Sequence, residues 1–385
     1  MLPRRFAPRQ FTHALLGAAL ASLGACGGEN KATPPGPDAS AAPSAAPPVP
    51  LVIPKAGTLP AAFPAVTAPA DNASSDAKVA LGHQLFFDKR LSVDGSRSCY
   101  SCHLNEDGNG GHDPIAIGAG EKKLTRHSPV IWNVAYYPSF YWDGRSPSLE
   151  EQGKAAWAGG NMGVGKENLE KKAGEIAKVP GYKKQFDAVF GKDGVTPDTI
   201  MKAVSAYERT LLCRETAYDK YATGDASALD ETQQKGLGLF LGKGQCVLCH
   251  APPFFAAGMG APQAVFHNVG IGTNKPEPDL GRQAATKSES DFGAFKVPSL
   301  RNISKSAPYF HDGSVASLEE AVRLMAKGGV ANKNLSPLMK DRNLADDEVR
   351  AIVAFLGALD CKQKLEEPKL PLVVPLASAR DAEFP

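Results

Sequence analysis

Apolar positions recur at helical spacing in a few blocks along the chain, separated by long stretches with no such period. The runs "VSAYERTLLC" and "VRAIVAFLGALDC" each read as a helix with an apolar face. The string "SLEE" occurs twice as a capping box, with Ser148 or Ser317 at the N-cap and Glu151 or Glu320 three residues on, so each copy opens a helix. The second copy continues as "LEEAVRLMAKGG", which sets Leu318, Val322 and Met325 on one inward face and closes on glycines. A G-x-x-L-F string also occurs twice, at Gly82 to Phe86 and Gly236 to Phe240.

These copies belong to a longer self-match. Pro129, Asn133, Asp143, Gly144 and Ser148–Glu151 match Pro298, Asn302, Asp312, Gly313 and Ser317–Glu320 at one constant offset. The expected fold is therefore mainly α, built as two tandem domains related by internal duplication, residues 76–222 and residues 223–365, with a tail at 366–385.

Composition changes the picture chiefly at the ends. The chain has 385 residues, 43% of them hydrophobic, and a formal net charge of +2, which gives no sign of nucleic-acid binding. Arg4 and Arg5 precede "ALLGAALASLGAC", an apolar run too short to span a bilayer. It ends on Leu23-Gly24-Ala25-Cys26, so residues 1–26 are expected to be a lipoprotein-type signal peptide leaving a lipid on Cys26; an ordinary secretory peptide cut nearby is the alternative. Residues 27–75 are rich in Pro, Ala, Gly and Ser and are expected to form a tether, because they cannot bury enough surface to offset their ordering entropy. The expected location is the periplasm, with the membrane reached by a lipid anchor only.

Of seven cysteines, four fall in Cys99-Tyr-Ser-Cys102-His103 and Cys246-Val-Leu-Cys249-His250. Each is a C-x-x-C-H string, the attachment pattern of c-type haem. Two thiols at this spacing reach the two vinyl groups of one porphyrin, and the adjacent imidazole comes up beneath the iron. Zinc would need four protein ligands per site, and a thioredoxin-like pair would not need the histidine. Cys213 and Cys361 are left over, and in an oxidising compartment they are expected to pair, the alternative being two buried free thiols.

The two copies differ where it matters for the metal. Met325 is expected to be the second axial ligand of haem 2, against the alternative of core filler. At the matching offset the first copy has Ala156, whose methyl cannot bind iron, so haem 1 is expected to have an open face. Methionine ligation suits electron transfer, whereas an open iron binds small molecules.

On "CYSCH", "SFYWDGRSPSLEEQ", "QCVLCH", "FKVPSLRN" and "YFHDGSVASLEEAVRLM", the chain from about Ala77 to Asp360 resembles the bacterial di-haem cytochrome c peroxidases and their relative, the di-haem oxidase that matures tryptophan tryptophylquinone. The resemblance implies that His103 is the proximal ligand of a peroxidatic haem and that His250 with Met325 holds an electron-transfer haem. It makes Trp142 the bridge between haems and Gln152 a distal-pocket residue. Asn161 stands where the family has its acid-base glutamate, and an amide has no useful pKa for moving a proton. Ala119 stands where the typical peroxidase has a gating histidine, so reductive gating is expected to be absent. His127 stands where an asparagine helps to hold calcium between the domains, the other ligands being main-chain carbonyls near Ser306 and Pro308, which leaves calcium in question. His112 is expected to be an exposed loop residue, the alternative being a reach to the distal face of haem 1, and His311, at the repeat position of Trp142, to be buried near the haem interface.

The implied function is reduction of hydrogen peroxide with electrons from a small cytochrome or cupredoxin, in a protein whose relatives are often homodimers. Two alternatives stand beside it: peroxide-dependent oxidation of aromatic side chains on a partner protein, and a non-enzymatic electron relay in which Met162 or another side chain caps haem 1.

Overall fold

The computed structural model describes residues 50–372. The expected signal peptide, Cys26, the first part of the tether and the end of the tail lie outside the described residues.

The described chain is mainly helical. In order it forms α1 (Asp76–Phe87), α2 (Leu149–Ala158), α3 (Leu169–Ala177), α4 (Pro180–Phe190), α5 (Pro197–Glu208), α6 (Ala217–Ala222) and α7 (Glu231–Leu241). There follow β1 (Phe266–Asn268), α8 (Gln283–Thr286), β2 (Ala294–Lys296), α9 (Leu318–Ala326) and α10 (Asp346–Gly357). The two strands pair antiparallel, with His267 opposite Phe295.

Side chains close most helix starts as the sequence implies. Ser148 accepts from the Glu151 N–H, and Ser317 from that of Glu320. The reciprocal bond that completes a capping box, from the Ser317 N–H to the Glu320 carboxylate, is seen at α9, whereas at α2 the serine half alone is seen. Thr196 and Asp230 cap α5 and α7 in complete boxes.

Two helix pairs carry the cores, and both explain the repeated G-x-x-L-F. α1 crosses α5 so closely that a Cβ on Gly82 would lie 1.8 Å from the Ala203 carbonyl oxygen. α7 crosses α10 the same way, with a Cβ on Gly236 falling 1.9 Å from the Ala351 oxygen. Glycine lets the helix backbones approach to contact, and the following Leu85–Phe86 and Leu239–Phe240 are buried beneath the crossings. The first core gathers Leu81, Phe86, Trp157, Ile200 and Val204, and the second Leu237, Phe240, Phe255, Ile352 and Phe355.

The turns after each core share one backbone course. Asn133 and Asn302 adopt φ of 62° and 66°, and Tyr141 and Phe310 adopt 64° and 70°. A single antiparallel bridge encloses Tyr141 and Phe310 in turn, Phe140 to Ser146 and Tyr309 to Val315. The Asn133 and Asn302 side chains accept from the main-chain N–H of Cys213 and Cys361, which form a disulfide spanning 148 residues.

Three expectations need correction. The stretch from Pro50 to Ser75, expected as tether, lies on the fold: the Tyr221, Tyr218 and Tyr136 hydroxyls donate to the carbonyls of Pro54, Pro60 and Pro64 at 2.7–2.8 Å. Phe63 packs on Tyr136 and Phe254, and Asn72 is buried. A Pro-rich strand leaves its carbonyls unpaired, and tyrosines contributed from elsewhere order it without any apolar period of its own. Second, α6, expected in the first domain, places Tyr218 and Tyr221 in the second core, while Cys361 and Leu365 return to the first. Third, the beginning of the expected tail is bound, since His83 and Gln84 bond the carbonyls of Glu366 and Lys369.

Candidate haem-binding and active site

Each C-x-x-C-H string folds as a short 3₁₀ turn, Tyr100–Cys102 and Cys246–Leu248, set just beyond α1 and α7. The His103 Nδ1 lies 3.2 Å from the Asn109 carbonyl, and the His250 Nδ1 lies 2.9 Å from that of Phe255. A ring anchored through Nδ1 presents Nε2 to a metal, and the main-chain acceptor fixes its orientation. Burial drives both histidines down to about 4, so they are neutral at physiological pH, the form that ligates iron.

The second sphere is built differently in the two copies. Asn109 returns its amide to the His103 carbonyl at 3.1 Å and accepts from the Trp132 indole at 2.9 Å. Beyond His250, Arg301 donates to the Pro253 carbonyl at 2.7 Å while its fully buried guanidinium grips Asp219.

The residues present fit c-type haem. Cys99, Cys102, Cys246 and Cys249 are free thiols, whereas Cys213 and Cys361 are bonded. Burial pushes the Cys99 thiol up, and that of Cys246 up to about 12, so they are thiols rather than metal-binding thiolates. A cavity of about 10 Å³, the size of one water, lies beside Cys102 between Arg97, His112, Ile117 and Ser128.

Met325 is the penultimate residue of α9. Leu318 and Val322, on the same face, pack against the second core, and Met325 itself is half-buried. On the first copy, Gln152 and Ala156 lie on α2 and are half-buried. The Gln152 carbonyl accepts from the Tyr141 hydroxyl at 3.2 Å. The loop after α2 then meets the loop after the first haem string: the Ala119 N–H donates to the Asn161 carbonyl at 3.0 Å, and a Cβ on Gly118 would stand 2.0 Å from the Gly160 oxygen. Ala119, Asn161 and α2 are thus brought to one place. Met162 is 6% exposed and belongs to the first core.

Trp142 stands between the copies. Its indole donates to the His127 carbonyl, and its own carbonyl accepts from the Lys296 N–H, each at 2.8 Å. His311 is buried and stacked on Phe295 with ring centroids 3.7 Å apart, and its Nε2 has no partner among the described residues. His112 is exposed and paired with Asp107 at 3.0 Å, and it lines the cavity beside Cys102.

Two groups escaped the sequence reading. Lys296 lies with Nζ 3.3 Å from the Tyr137 ring centroid, and burial brings its pKa down to about 7. Glu208 has an unpartnered carboxylate oxygen, and burial raises it to about 8. Their signal was a charged residue within an otherwise apolar run, "AFKVP" and "SAYERTLL".

A helical chain with two C-x-x-C-H turns, each with a buried, carbonyl-anchored histidine, is a di-haem c-type cytochrome by class. Residues 76–227 match the family model for di-haem cytochrome c peroxidase. The cytochrome-c peroxidase IdrP1 of Pseudomonas sp. strain SCT is 36% identical over 343 residues, covering 81% of this chain and 88% of the relative. The methylamine utilization protein MauG of Methylorubrum extorquens is 35% identical over 308 residues, covering 79% and 84%. Among solved structures, a MauG-like protein associated with microbial copper homeostasis aligns with a TM-score of 0.75 at 31% identity, covering 80% of this chain and 97% of that one. The chain belongs to the di-haem cytochrome c peroxidase family, is an oxidoreductase of the peroxidase type, and by that membership carries two c-type haems.

Proposed function

We propose that this chain reduces hydrogen peroxide to water at a haem held by Cys99, Cys102 and His103, with electrons passed on from a second haem held by Cys246, Cys249, His250 and Met325. The overall change is one peroxide, two electrons and two protons to two waters. When bound, the haems supply the peroxide-binding iron and the route for single electrons. The observation that carries the reading is the difference between the copies: α9 offers a half-buried Met325, while α2 offers Ala156 at the same offset.

The remaining roles fall to the chain's own groups. Trp142, hydrogen-bonded to both halves of the chain, is the bridge between the two haem sites. Gln152 lies on the helix that faces the first site and orients peroxide through its amide. Asn161 occupies the acid-base position without a titratable proton, so proton movement there is slow. Ala119 leaves the pocket without a gating ligand. The matched glycine crossings, turns and cysteine pairing support a duplicated pair of haem domains divided near residues 222 and 223, with α6 packed across that division. Export to the periplasm, a lipid on Cys26, a cytochrome or cupredoxin donor and a homodimer complete the proposal.

The test is anaerobic peroxide addition to the haem-loaded protein with reduced cytochrome c. Steady oxidation of the cytochrome at two electrons per peroxide supports the peroxidase. A second reading, oxidation of aromatic side chains on a partner protein, is favoured by the likeness to MauG and by Asn161; peroxide consumption that ignores the cytochrome supports it. An inert protein supports the relay, although Met162 as its capping ligand conflicts with the burial of that residue in the first core.

A further inference from the structure

His127 ties together the two haem-bearing halves. It is 5% exposed, its N–H donates to the His311 carbonyl at 2.8 Å, and its own carbonyl accepts the Trp142 indole at 2.8 Å. Its ring Nδ1 lies 2.8 Å from the Asp113 carbonyl. The main-chain bond has a counterpart. Lys296, which corresponds to His127 at the repeat's offset, donates its N–H to the Trp142 carbonyl, and Trp142 corresponds to His311. The halves therefore meet in a reciprocal pair of main-chain bonds, one of which starts at His127.

The fold family implies a calcium ion at this boundary, held by an asparagine at the position of His127 and by carbonyls near Ser306 and Pro308. Calcium takes about six to eight oxygen ligands. Here the side chain brings nitrogen in place of the amide oxygen, and its Nδ1 is already bonded to the Asp113 carbonyl. The residues present do not fit calcium.

We propose that the His127 imidazole, its Nδ1 already engaged by the Asp113 carbonyl, takes the place of the calcium-binding side chain, so that this chain joins its halves without calcium. A neutral ring donates through one nitrogen, and a doubly protonated ring through both. Burial lowers the pKa of the ring and so favours its neutral form. The imidazole offers the ion no oxygen, and calcium takes its ligands from oxygen.

The experiment is calorimetric titration of EGTA-treated, haem-loaded protein with calcium chloride, together with thermal unfolding in EGTA and in calcium. The wild-type chain should give no saturable heat up to about 1 mM calcium, the weak end of natural calcium sites, and the same Tm in both solutions. The His127→Asn chain should take up one equivalent of calcium and unfold at a higher temperature in calcium than in EGTA. One equivalent bound by the wild-type chain, or a drop in its Tm on chelation, overturns the proposal. So does a His127→Asn protein that folds and takes up no calcium. If that variant does not fold, the wild-type titration decides alone.

Discussion

The Arg301–Asp219 pair offers a sharp test of how the second haem site is held. Arg301 is 0% exposed and donates to both Asp219 carboxylate oxygens at 2.8 and 2.7 Å, and to the Pro253 carbonyl at 3.0 and 2.7 Å. Pro253 lies between His250 and Phe255, whose carbonyl anchors the His250 ring. Asp219→Asn keeps an acceptor for the Thr216 N–H at the α6 cap but leaves the guanidinium buried without its counter-charge. Breaking a buried pair from one side costs about 3–5 kcal/mol. At roughly 2 °C per kcal/mol for a chain of this size, the Tm should fall by about 6–10 °C. The assay is thermal unfolding of haem-loaded protein by circular dichroism, with the visible spectrum recorded at 25 °C to follow the His250 haem. Adding Arg301→Met should recover at least half of the loss, because the unpaired charge is then gone. A loss below about 1 kcal/mol for Asp219→Asn would refute the argument that this buried charge depends on its partner.

The helix crossings predict that Gly82→Ala and Gly236→Ala each force two backbones apart, since the added methyl would lie within 2 Å of a carbonyl oxygen; chemical denaturation should show losses of about 2 kcal/mol or more. Asn161→Glu should raise the rate of peroxide turnover at least tenfold, within the roughly 10²–10⁴ range of general acid-base catalysis, as read by stopped-flow with reduced cytochrome. Burial lowers His311 to about 4, so the folded chain resists a proton that the unfolded chain takes near pH 6.5. Its stabilising contribution is complete above about pH 6.5 and is lost as pH falls towards 4, and His311→Gln should flatten the stability profile across that window.

Much of the haem chemistry was legible because it is written in contiguous residues: two thiols and an imidazole must stand at fixed spacing to reach one porphyrin. Ser317 with Glu320, and the glycines at 82 and 236, were legible for a similar reason, since caps and close helix crossings demand particular residues at particular steps. What lay hidden depends on distant partners. The Pro-rich stretch from Pro50 onward has no pattern of its own and is ordered by tyrosines from α6 and from the turn after Asn133. The short α6 follows the first core in sequence but packs into the second, because Tyr218 meets Phe255 and Phe355 there. Lys296 and Glu208 are charged residues whose burial is created by elements far away in the chain, which no local period reveals.

The central claim is the division of labour between an open first haem and a His250/Met325 second haem. The most direct measurement is the low-temperature EPR spectrum of the oxidised, haem-loaded protein, taken beside that of Met325→Ala. The account predicts one high-spin and one low-spin haem in the wild-type protein, and two high-spin haems in the variant. Two low-spin haems in the oxidised wild-type protein, or a Met325→Ala spectrum unchanged from wild type, would contradict it.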